Sequence, residues 1–510
     1  MAGFQFTTSS QPVSDISLSG GLNSTAGSLG AANNESTDLQ NIDFNKFGSI
    51  LKRNGYTALN TTAITANPID GLHWYEYFTS VQVRQTVAVV AAKLYKMDDL
   101  DGTWDDITGG ITITTGSHCC FVNFLNTMYA TNGVDVPFQY NGSASAAMGV
   151  PTGLTTAKYI EQFNNYLFLA NVTVSGVVYP SRIYWSDYKT SAAWTATSYI
   201  DIAMNDGQQI TGMKVLSDRL VVFKERSIYN VFFTGDADVP FILPGGGKAN
   251  SSVGTISHWS IQEVENGLVF LAIDGFYYYD GSNSTKISTK INSTLRDYSY
   301  GRFNQAVSCV QKNKNRYLCA LPGASTTTNN RVVVWDYSVN AFSIYKGINA
   351  RSMCSLFVDG LEERPYFGDY LGFVYRMDTG ADDYPSNVQT AIDAYYYTNW
   401  KHYDDLINQK GIPEITIYYQ NSNSVLTLAY SYDFETADQY SQSFSLATSA
   451  STYGSATYGV STYGGVGGGV RRRDLTGRGR VVRFKFANSV LGESFQVDGF
   501  GSWAHLETNV

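Results

Sequence analysis

Charged side chains are scarce in this chain. Only 15% of its 510 residues are Asp, Glu, Lys or Arg, against about a quarter in ordinary globular domains. The 35 basic residues are outnumbered by 44 acidic ones, which gives a formal net charge of -9. Nucleic-acid binders that rely on overall attraction need clustered Lys and Arg. The net charge excludes nucleic-acid binding by overall attraction. It is compatible with a channel surface along which DNA passes without binding tightly.

Histidine, cysteine and catalytic motifs are also rare. The chain has five histidines and five cysteines, and no two histidines have the short spacing of a metal site. Nucleophile elbows, phosphate loops and dinucleotide fingerprints are missing. A hairpin turning at 312–315 would place Cys309 opposite Leu318, so that Cys319 faces the other side of the sheet. We therefore predict reduced cysteines, no metal, no cofactor and no enzymatic activity.

Long apolar runs are absent as well. No stretch approaches the roughly 20 residues that cross a bilayer, so we predict no membrane span. The first residues, MAGFQFTTSSQ, lack the basic start and apolar core of a secretory signal. Together with reduced cysteines, this favours assembly in a cytoplasm.

Aromatic residues and tight-turn signals are abundant. Aromatics reach 14%, with 37 tyrosines, and such residues favour a half-buried pleated surface. Between residues 72 and 380, short β runs alternate with Asn-Gly and Asp-Gly turns. Asn141 and Asp280 begin two of these turns and lie 139 positions apart, about three units of the ~40–50 residues of a propeller blade. We predict an all-β fold with a β-propeller body; stacked β-sandwiches are the alternative.

The chain divides into three predicted parts. Residues 1–50 are predicted to be a flexible, extended N-terminal arm with a docking motif, since SLSGGLNSTAGSLGAANNES has no periodicity. Residues 51–380 form the predicted propeller. Alternating strands over 381–510 predict an additional β-sandwich-like domain. Within it, Tyr-Gly recurs every five residues, which predicts an exposed loop over 451–469.

Two local patterns are interpreted as structural. The tetrad Lys224-Glu225-Arg226-Ser227 separates two apolar runs, and we predict that it is the solvated tip of a hairpin. Trp185 and Trp194 are predicted to pack between blades, because large aromatics dominate burial in β cores. Stacking on sugars is the alternative for these two residues.

A basic cluster near the C-terminus stands out in an acidic chain. Alternation within it places Arg478 with Arg480, and Arg483 with Lys485, on one face of a strand each. It is interpreted as a solvated or subunit-facing strand, or as a contact for DNA phosphates or an acidic partner. The cluster comprises Arg471, Arg472, Arg473, Arg478, Arg480, Arg483 and Lys485.

Three stretches resemble a known family, and the resemblance covers about residues 38–350. STDLQNIDFNKFGSILKRNGY is similar to the opening motif of tail proteins of short-tailed bacteriophages, although Asn54 stands where that motif usually has Pro. SRIYWSDYKTSAAW with DRLVVFKERSIYNVFFTG, and GTISHWSIQEVENGLVFLAIDGFYYYDGS, resemble consecutive blades of those proteins. The family is the tail hub or nozzle protein of podoviruses, including the packaged-DNA stabilisation type.

The resemblance implies a structural virion protein of the phage tail. Family members form a homo-hexameric β-propeller ring below the portal and adaptor, which extends the DNA conduit and helps to retain and then release the genome. The implied partners are other copies, the adaptor, a tail spike or fibre, and double-stranded DNA in passage. Assembly would take place in the host cytoplasm. Candidate adaptor-docking residues are Asp43, Phe44, Lys52, Arg53 and Tyr56.

Two other functions compete with this one. An extracellular carbohydrate-binding propeller or sandwich predicts a secretion signal, which is missing. A glycoside hydrolase needs two carboxylates that flank one bond, and no such pair stands out in the sequence.

Overall fold

A computed structural model of the chain describes residues 10–98, 102–358, 362–420, 422–447 and 468–507. Most of the regular structure in these ranges is β-strand, as the composition predicts. No helix among them is long and apolar enough to cross a membrane. The predicted Tyr-Gly loop at 451–469 lies outside the described ranges except for its last two glycines, which begin a strand.

The first five strands precede the propeller or close it. They are β1 (Ser10–Asp15), β2 (Ser36–Gln40), β3 (Ile42–Phe44), β4 (Ile50–Lys52) and β5 (Tyr56–Ala58).

Blades 1 to 3 are four-stranded antiparallel meanders. Tight turns join their strands, and Gly133 and Gly142 of the predicted Asn-Gly turns have φ of 77° and 89°. Blade 1 is β6 (Ile69–Phe78), β7 (Gln82–Val90), β8 (Lys93–Asp98) and β9 (Asp105–Asp106); blade 2 is β10 (Cys120–Phe124), β11 (Thr127–Thr131), β12 (Phe138–Tyr140) and β13 (Ser145–Ala147); blade 3 is β14 (Leu154–Phe163), β15 (Tyr166–Val174), β16 (Val177–Trp185) and β17 (Tyr199–Asp201).

Blades 4 to 6 repeat this arrangement. One short helix, α1 (Asn292–Arg296), precedes blade 6. Blade 4 is β18 (Ile210–Leu216), β19 (Arg219–Lys224), β20 (Ile228–Phe233) and β21 (Phe241–Ile242); blade 5 is β22 (Gln262–Val264), β23 (Gly267–Ala272), β24 (Gly275–Tyr279) and β25 (Ser284–Lys286); blade 6 is β26 (Val307–Gln311), β27 (Arg316–Pro322), β28 (Asn329–Asp336) and β29 (Ala341–Lys346).

Blade 7 combines distant parts of the chain. Strand β5 pairs antiparallel with the third strand of this blade, with Tyr56 opposite Met377 and Ala58 opposite Tyr375. Two short strands complete the sheet on the far side of β5. Besides β5, the blade contains β30 (Ser352–Val358), β31 (Glu362–Gly368), β32 (Val374–Met377), β33 (Asp382–Asp383) and β34 (Thr390–Ala391).

Apolar clusters between neighbouring sheets close these blades into a ring. Ile69 and Ala88 of blade 1, for example, pack with Leu356 and Tyr366 of blade 7. Similar clusters join the other neighbouring blades. Within the described ranges the ring therefore has seven blades. Inner strands such as β23 (GLVFLA) are continuous apolar runs, because a blade covers each of their faces. The predicted β-propeller is confirmed.

Two local predictions have different outcomes. The turn at 312–315 pairs Cys309 with Leu318, and all five cysteines are free, as predicted. The hairpin at 224–227 is also present, but the prediction that Lys224 is solvated is wrong. Its Nζ is buried against blade 3 and donates to Asp206 Oδ2 at 2.9 Å. Glu225 remains in solvent.

Two β-sheets pack face to face to form a sandwich beside the propeller, with a core that includes Ile417, Phe484 and Phe500. The first sandwich sheet contains β1, β3, β4, β36 (Gln409–Gly411), β37 (Glu414–Gln420), β40 (Gly468–Asp474), β41 (Arg478–Gly479) and β43 (Gln496–Glu507). The second contains β2, β35 (Ala394–Thr398), β38 (Val425–Tyr432), β39 (Tyr440–Ser445) and β42 (Val482–Asn488).

The N-terminal segment is part of this sandwich. Strand β1 pairs with β43, and β2 pairs with β35. Leu18 and Leu22 are buried in the shared core. The prediction of a flexible arm is therefore wrong for residues 10–50, because two leucines and backbone pairing hold a segment whose composition is otherwise typical of disorder.

Candidate functional site

A cavity of about 390 Å³ occupies the middle of the propeller. Residues of the first strands β6, β10, β18, β22, β26 and β30 line it. The lining includes three histidines that are far apart in the sequence: His73, His118 and His258. Among the described residues, no cluster of three or more His, Cys, Asp or Glu side chains has the arrangement of a metal site.

A thiol and an imidazole meet in this cavity. Cys120 Sγ lies 3.0 Å from His258 Nε2, and His258 Nδ1 accepts a hydrogen bond from the Met213 amide at 3.4 Å. The Nε2 proton therefore points to sulfur, while the thiol donates to the Ile160 carbonyl. Burial raises the pKa of Cys120 to about 12 and lowers the pKa of His258 to about 3. Both groups are neutral near pH 7, which is unlike the thiolate of an activated nucleophile.

Cys120 is expected to resist alkylation in the folded protein. With a pKa of about 12, the thiolate fraction near pH 8 is on the order of 10⁻⁴. Mass spectrometry after iodoacetamide treatment should find this residue unmodified, with a rate that rises about tenfold per pH unit. In concentrated urea all five cysteines should react. Labelling of folded Cys120 near pH 8 at the unfolded rate would contradict this account.

The five residues assigned to adaptor docking lie at the junction of propeller and sandwich. Asp43, Phe44, Lys52, Arg53 and Tyr56 are all buried. Because these side chains are buried, they cannot contact an adaptor. The prediction that they dock an adaptor is therefore wrong, and their contacts are within the chain.

Buried polar contacts at this junction join the two bodies. Arg53 forms a bidentate ion pair with Asp383 of blade 7, at 2.8 and 2.6 Å. Arg316 of blade 6 donates to Asp43 at 2.8 Å, and Asp43 also accepts from the Tyr345 hydroxyl. The propeller and sandwich are therefore held together by charged groups that water does not reach.

Lys52 extends the junction into the second sandwich sheet. Its Nζ donates to Asn488 Oδ1 at 2.9 Å. Burial lowers the pKa of Lys52, with Asp382 the main group that opposes this effect. The Tyr56 hydroxyl completes the contact set by donating to the Gly347 carbonyl at 2.9 Å.

The basic cluster is divided among different surfaces. Strand β40 pairs Arg471 with Ile417 and Arg473 with Ile415, so both side chains lie over the open edge of the sandwich core. Arg473 stacks over the Phe444 ring at 4.3 Å, while Arg472 points outward. Arg478 and Arg480 are exposed beside the turn after β40. The cluster is therefore not a single phosphate-binding patch.

Arg483 and Lys485 share the outer face of the second sandwich sheet, as their alternation predicts. Arg483 lies 4.2 Å from the Tyr397 ring and 4.8 Å from the Trp400 ring. Lys485 forms an ion pair with Asp438 at 2.9 Å. Aromatic faces and a carboxylate thus partly compensate both charges.

Part of the outer face of the first sandwich sheet is apolar, and we call this part the apolar strip: Ile16, Tyr418, Val470 and Trp503. Their exposed fractions are 82%, 48%, 57% and 45%. Val470 and Tyr418 are directly opposite in the ladder. Gly499 also lies opposite Tyr418 and leaves the surface flat.

Sequence reasoning missed this strip. The inward residues of EITIYYQ, among them Ile415 and Ile417, do predict that Tyr418 faces outward. Nothing in the sequence indicates that Tyr418 lies on the same face as Val470 of β40 and Trp503 of β43, because these strands come from later segments of the chain.

The comparisons with known proteins concern the fold alone. No family model and no curated protein matches the chain. A solved structure of the computationally designed Ika8 protein is 11% identical with a TM-score of 0.35, and the match covers 63% of this chain and 99% of that one. The structure of YCF48 bound to D1 peptide is 11% identical with a TM-score of 0.40, and the match covers 67% of this chain and 100% of that one. A chain of the mitotic checkpoint complex is 8% identical with a TM-score of 0.39, and the match covers 63% of this chain and 93% of that one.

Proposed function

We propose that the chain is a structural subunit of a short phage tail, a nozzle or hub that assembles with its own copies into a ring. A homo-hexamer below the portal and adaptor is the arrangement implied by the resemblance of residues 38–350. The ring would extend the DNA conduit, help to retain the packaged genome and then release it. The observation that carries this proposal is the apolar strip of the sandwich.

The apolar strip has the properties of a subunit contact. Large apolar side chains that are half exposed and adjacent on one flat sheet face mark an interaction site more often than isolated ones do. Tyr and Trp are enriched in such contacts. Arg472 flanks the strip on this face, as do Asp474 and Glu414. Glu414 accepts a hydrogen bond from Trp503 Nε1 at 2.9 Å. Charges of both signs border the strip, so it suits a mixed, near-neutral partner surface better than DNA or a strongly acidic protein. A second copy of this chain is the partner that we propose.

The charge distribution supports passage of DNA without strong binding. The chain is acidic overall, and Lys485 is already paired with Asp438. Free clustered cations would instead hold each phosphate that they contact. Retention of the genome is accordingly assigned to the ring as a barrier and not to fixed phosphate contacts.

Replacing Val470 with Glu is expected to disrupt the ring. Even with Arg472 on the same face, burying a carboxylate in an apolar contact costs several kcal/mol, which weakens self-association by about two orders of magnitude. Native mass spectrometry should find rings for the wild type and monomers for V470E. V178E is the matched control, since Val178 of blade 3 is 60% exposed and Val470 57%.

Electron microscopy with portal–adaptor complexes tests the tail assignment itself. Wild-type protein should form a rotationally symmetric ring below the adaptor, and V470E should not. Wild-type protein that stays monomeric and unattached at micromolar concentration would refute the proposal. Rings that assemble equally well from V470E would refute the role of the strip alone.

A further inference from the structure

An open groove of about 720 Å³ lies between blades 3 and 4. The loop that follows β16 forms one wall, and the loop between β20 and β21 forms the other. The groove is far in sequence from the sandwich and shares no residue with the apolar strip. It therefore carries an inference that does not depend on self-assembly.

Three aromatic rings form a trough in this groove. Tyr166 is the buried floor; its ring centroid lies 5.4 Å from that of Tyr188 and 6.2 Å from that of Phe233. The two outer rings are tilted by 49° and 53° from the floor. Tyr188 is 53% exposed and Phe233 38% exposed. A ligand can thus meet two partly exposed rings, each tilted from the floor.

Trp185 packs between blades, as predicted, and does not take the alternative role of a sugar platform. Its ring is buried and packs edge-on against Phe241 at 5.4 Å. Trp194 donates to the Gly149 carbonyl at 2.8 Å. Both are packing residues, and the exposed rings of the groove are ones that the sequence did not single out.

The charged lining of the groove is acidic. Asp187, Asp236 and Asp238 line it, with no Lys, Arg or His among the lining residues. One oxygen of Asp187 accepts from Thr195, and one oxygen of Asp236 accepts from the Asp238 amide. These bonds fix the loops, while each carboxylate keeps an oxygen for another donor.

The chain's own lysine already uses one of these rings. Lys189 Nζ lies 5.1 Å from the Tyr188 ring centroid. Ring faces attract alkylammonium groups, and nearby carboxylates increase that attraction. Lys189 itself is exposed and outside the groove lining, so it competes for the ring without filling the trough.

We infer that this groove binds an alkylammonium cation, either a quaternary choline-type group or the side chain of a lysine. Tilted ring faces and three carboxylates suit a compact cation. Anions and phosphates are repelled by the same carboxylates. A neutral sugar is the weaker candidate, because it would leave the negative charge of the three carboxylates uncompensated.

Titration of the full chain with choline and with its neutral isostere 3,3-dimethylbutan-1-ol tests this inference. Saturation-transfer NMR should show saturable choline binding in the millimolar range, at least tenfold tighter than for the isostere. A parallel titration with Nα-acetyl-lysine amide separates the two sources of the cation. Tighter binding of choline assigns the groove to quaternary ammonium groups, and tighter binding of the lysine derivative assigns it to lysine side chains.

Variants locate the binding in the groove. Tyr188→Leu and Asp236→Asn should each weaken choline binding at least fivefold, whereas Lys189→Met should strengthen it severalfold by removing the internal competitor. Tyr300→Leu is the matched control, since Tyr300 is 60% exposed and lies outside this groove. Circular dichroism melting verifies that each variant is folded.

Two results would overturn the inference. The first is equal binding of choline and the isostere, or choline binding that Tyr188→Leu leaves unchanged. The second is saturation of the groove by a neutral oligosaccharide when choline fails to bind, which would favour the carbohydrate-binding alternative.

Discussion

Replacing Arg53 with methionine is expected to lower the free energy of unfolding by about 3–5 kcal/mol, because a buried carboxylate loses its partner. Arg53 donates to both oxygens of Asp383, at 2.8 and 2.6 Å. Its other hydrogen bonds go to Asn41 at 2.9 Å and to two backbone carbonyls. Both side chains of the ion pair are almost inaccessible, at 2% and 7%. Urea unfolding followed by circular dichroism measures the loss.

The pH dependence of this loss identifies its cause. Burial raises the pKa of Asp383, and Arg53 is the main group that opposes this. Without Arg53 the folded-state pKa rises further above its ordinary value of 3.8. The folded variant then takes up a proton at a pH where the unfolded chain does not. The destabilisation should therefore be smallest near pH 4 and grow as pH rises through the folded-state pKa.

Two comparisons complete the Arg53 experiment. The double variant Arg53→Met, Asp383→Leu removes the orphaned carboxylate and should recover much of the lost stability. Arg364→Met is the surface control, since its pair with Glu362 is 29% and 53% exposed, and it should cost at most about 1 kcal/mol. An Arg53→Met variant as stable as Arg364→Met would show that the junction does not depend on the buried pair.

Replacing Gly55 with alanine is expected to open the propeller at blade 7. A β-carbon at this position would lie 1.7 Å from the Asp382 carbonyl oxygen. That atom belongs to the backbone, so no side-chain rotation relieves the clash. Gly55 also exchanges backbone hydrogen bonds with Gly380 at 3.0 Å and Thr379 at 2.9 Å. The clash should shift the start of β5 away from β33 and cost about 3 kcal/mol or more.

Limited proteolysis and thermal melting test the Gly55 prediction. The variant should be cleaved faster near residues 53–58 and should melt at a lower temperature. Gly301→Ala is the matched control, because no atom of the described residues lies within 4 Å of its added β-carbon and its φ is not positive. It should be neutral within about 0.5 kcal/mol. Equal melting of the two variants would show that the backbone at Gly55 has room to yield.

The sequence pattern predicted the propeller because most blades are built from consecutive strands. Neighbouring strands follow one another through tight turns, so Asn-Gly signals and apolar runs specify each sheet. The hairpin at 312–315 and the opposition of Cys309 and Leu318 were predictable for this reason. The buried state of Lys224 was not, because its partner Asp206 belongs to the loop between blades 3 and 4.

Long-range pairing explains what the sequence left undetermined. Asn54-Gly55 is a turn signal, yet it lies between a sandwich strand and a propeller strand, and the glycine is required by close approach of backbone. The basic cluster looked continuous because its residues are close in sequence. Register divides it, since Arg471 opposes Ile417 whereas Arg483 opposes Ser431 of the other sheet. The apolar strip was hidden for the same reason.

The pairing of β1 with β43 has a consequence for biosynthesis. Residues 10–15 leave the ribosome almost 500 residues before their strand partner, residues 500–505. At about 5–20 residues per second, the early segment waits tens of seconds with its backbone unpaired. The propeller gains β5 only when β32 has emerged, and the sandwich comes last. A cell that makes this protein must keep this Ser- and Gly-rich segment soluble until residues 500–505 have emerged.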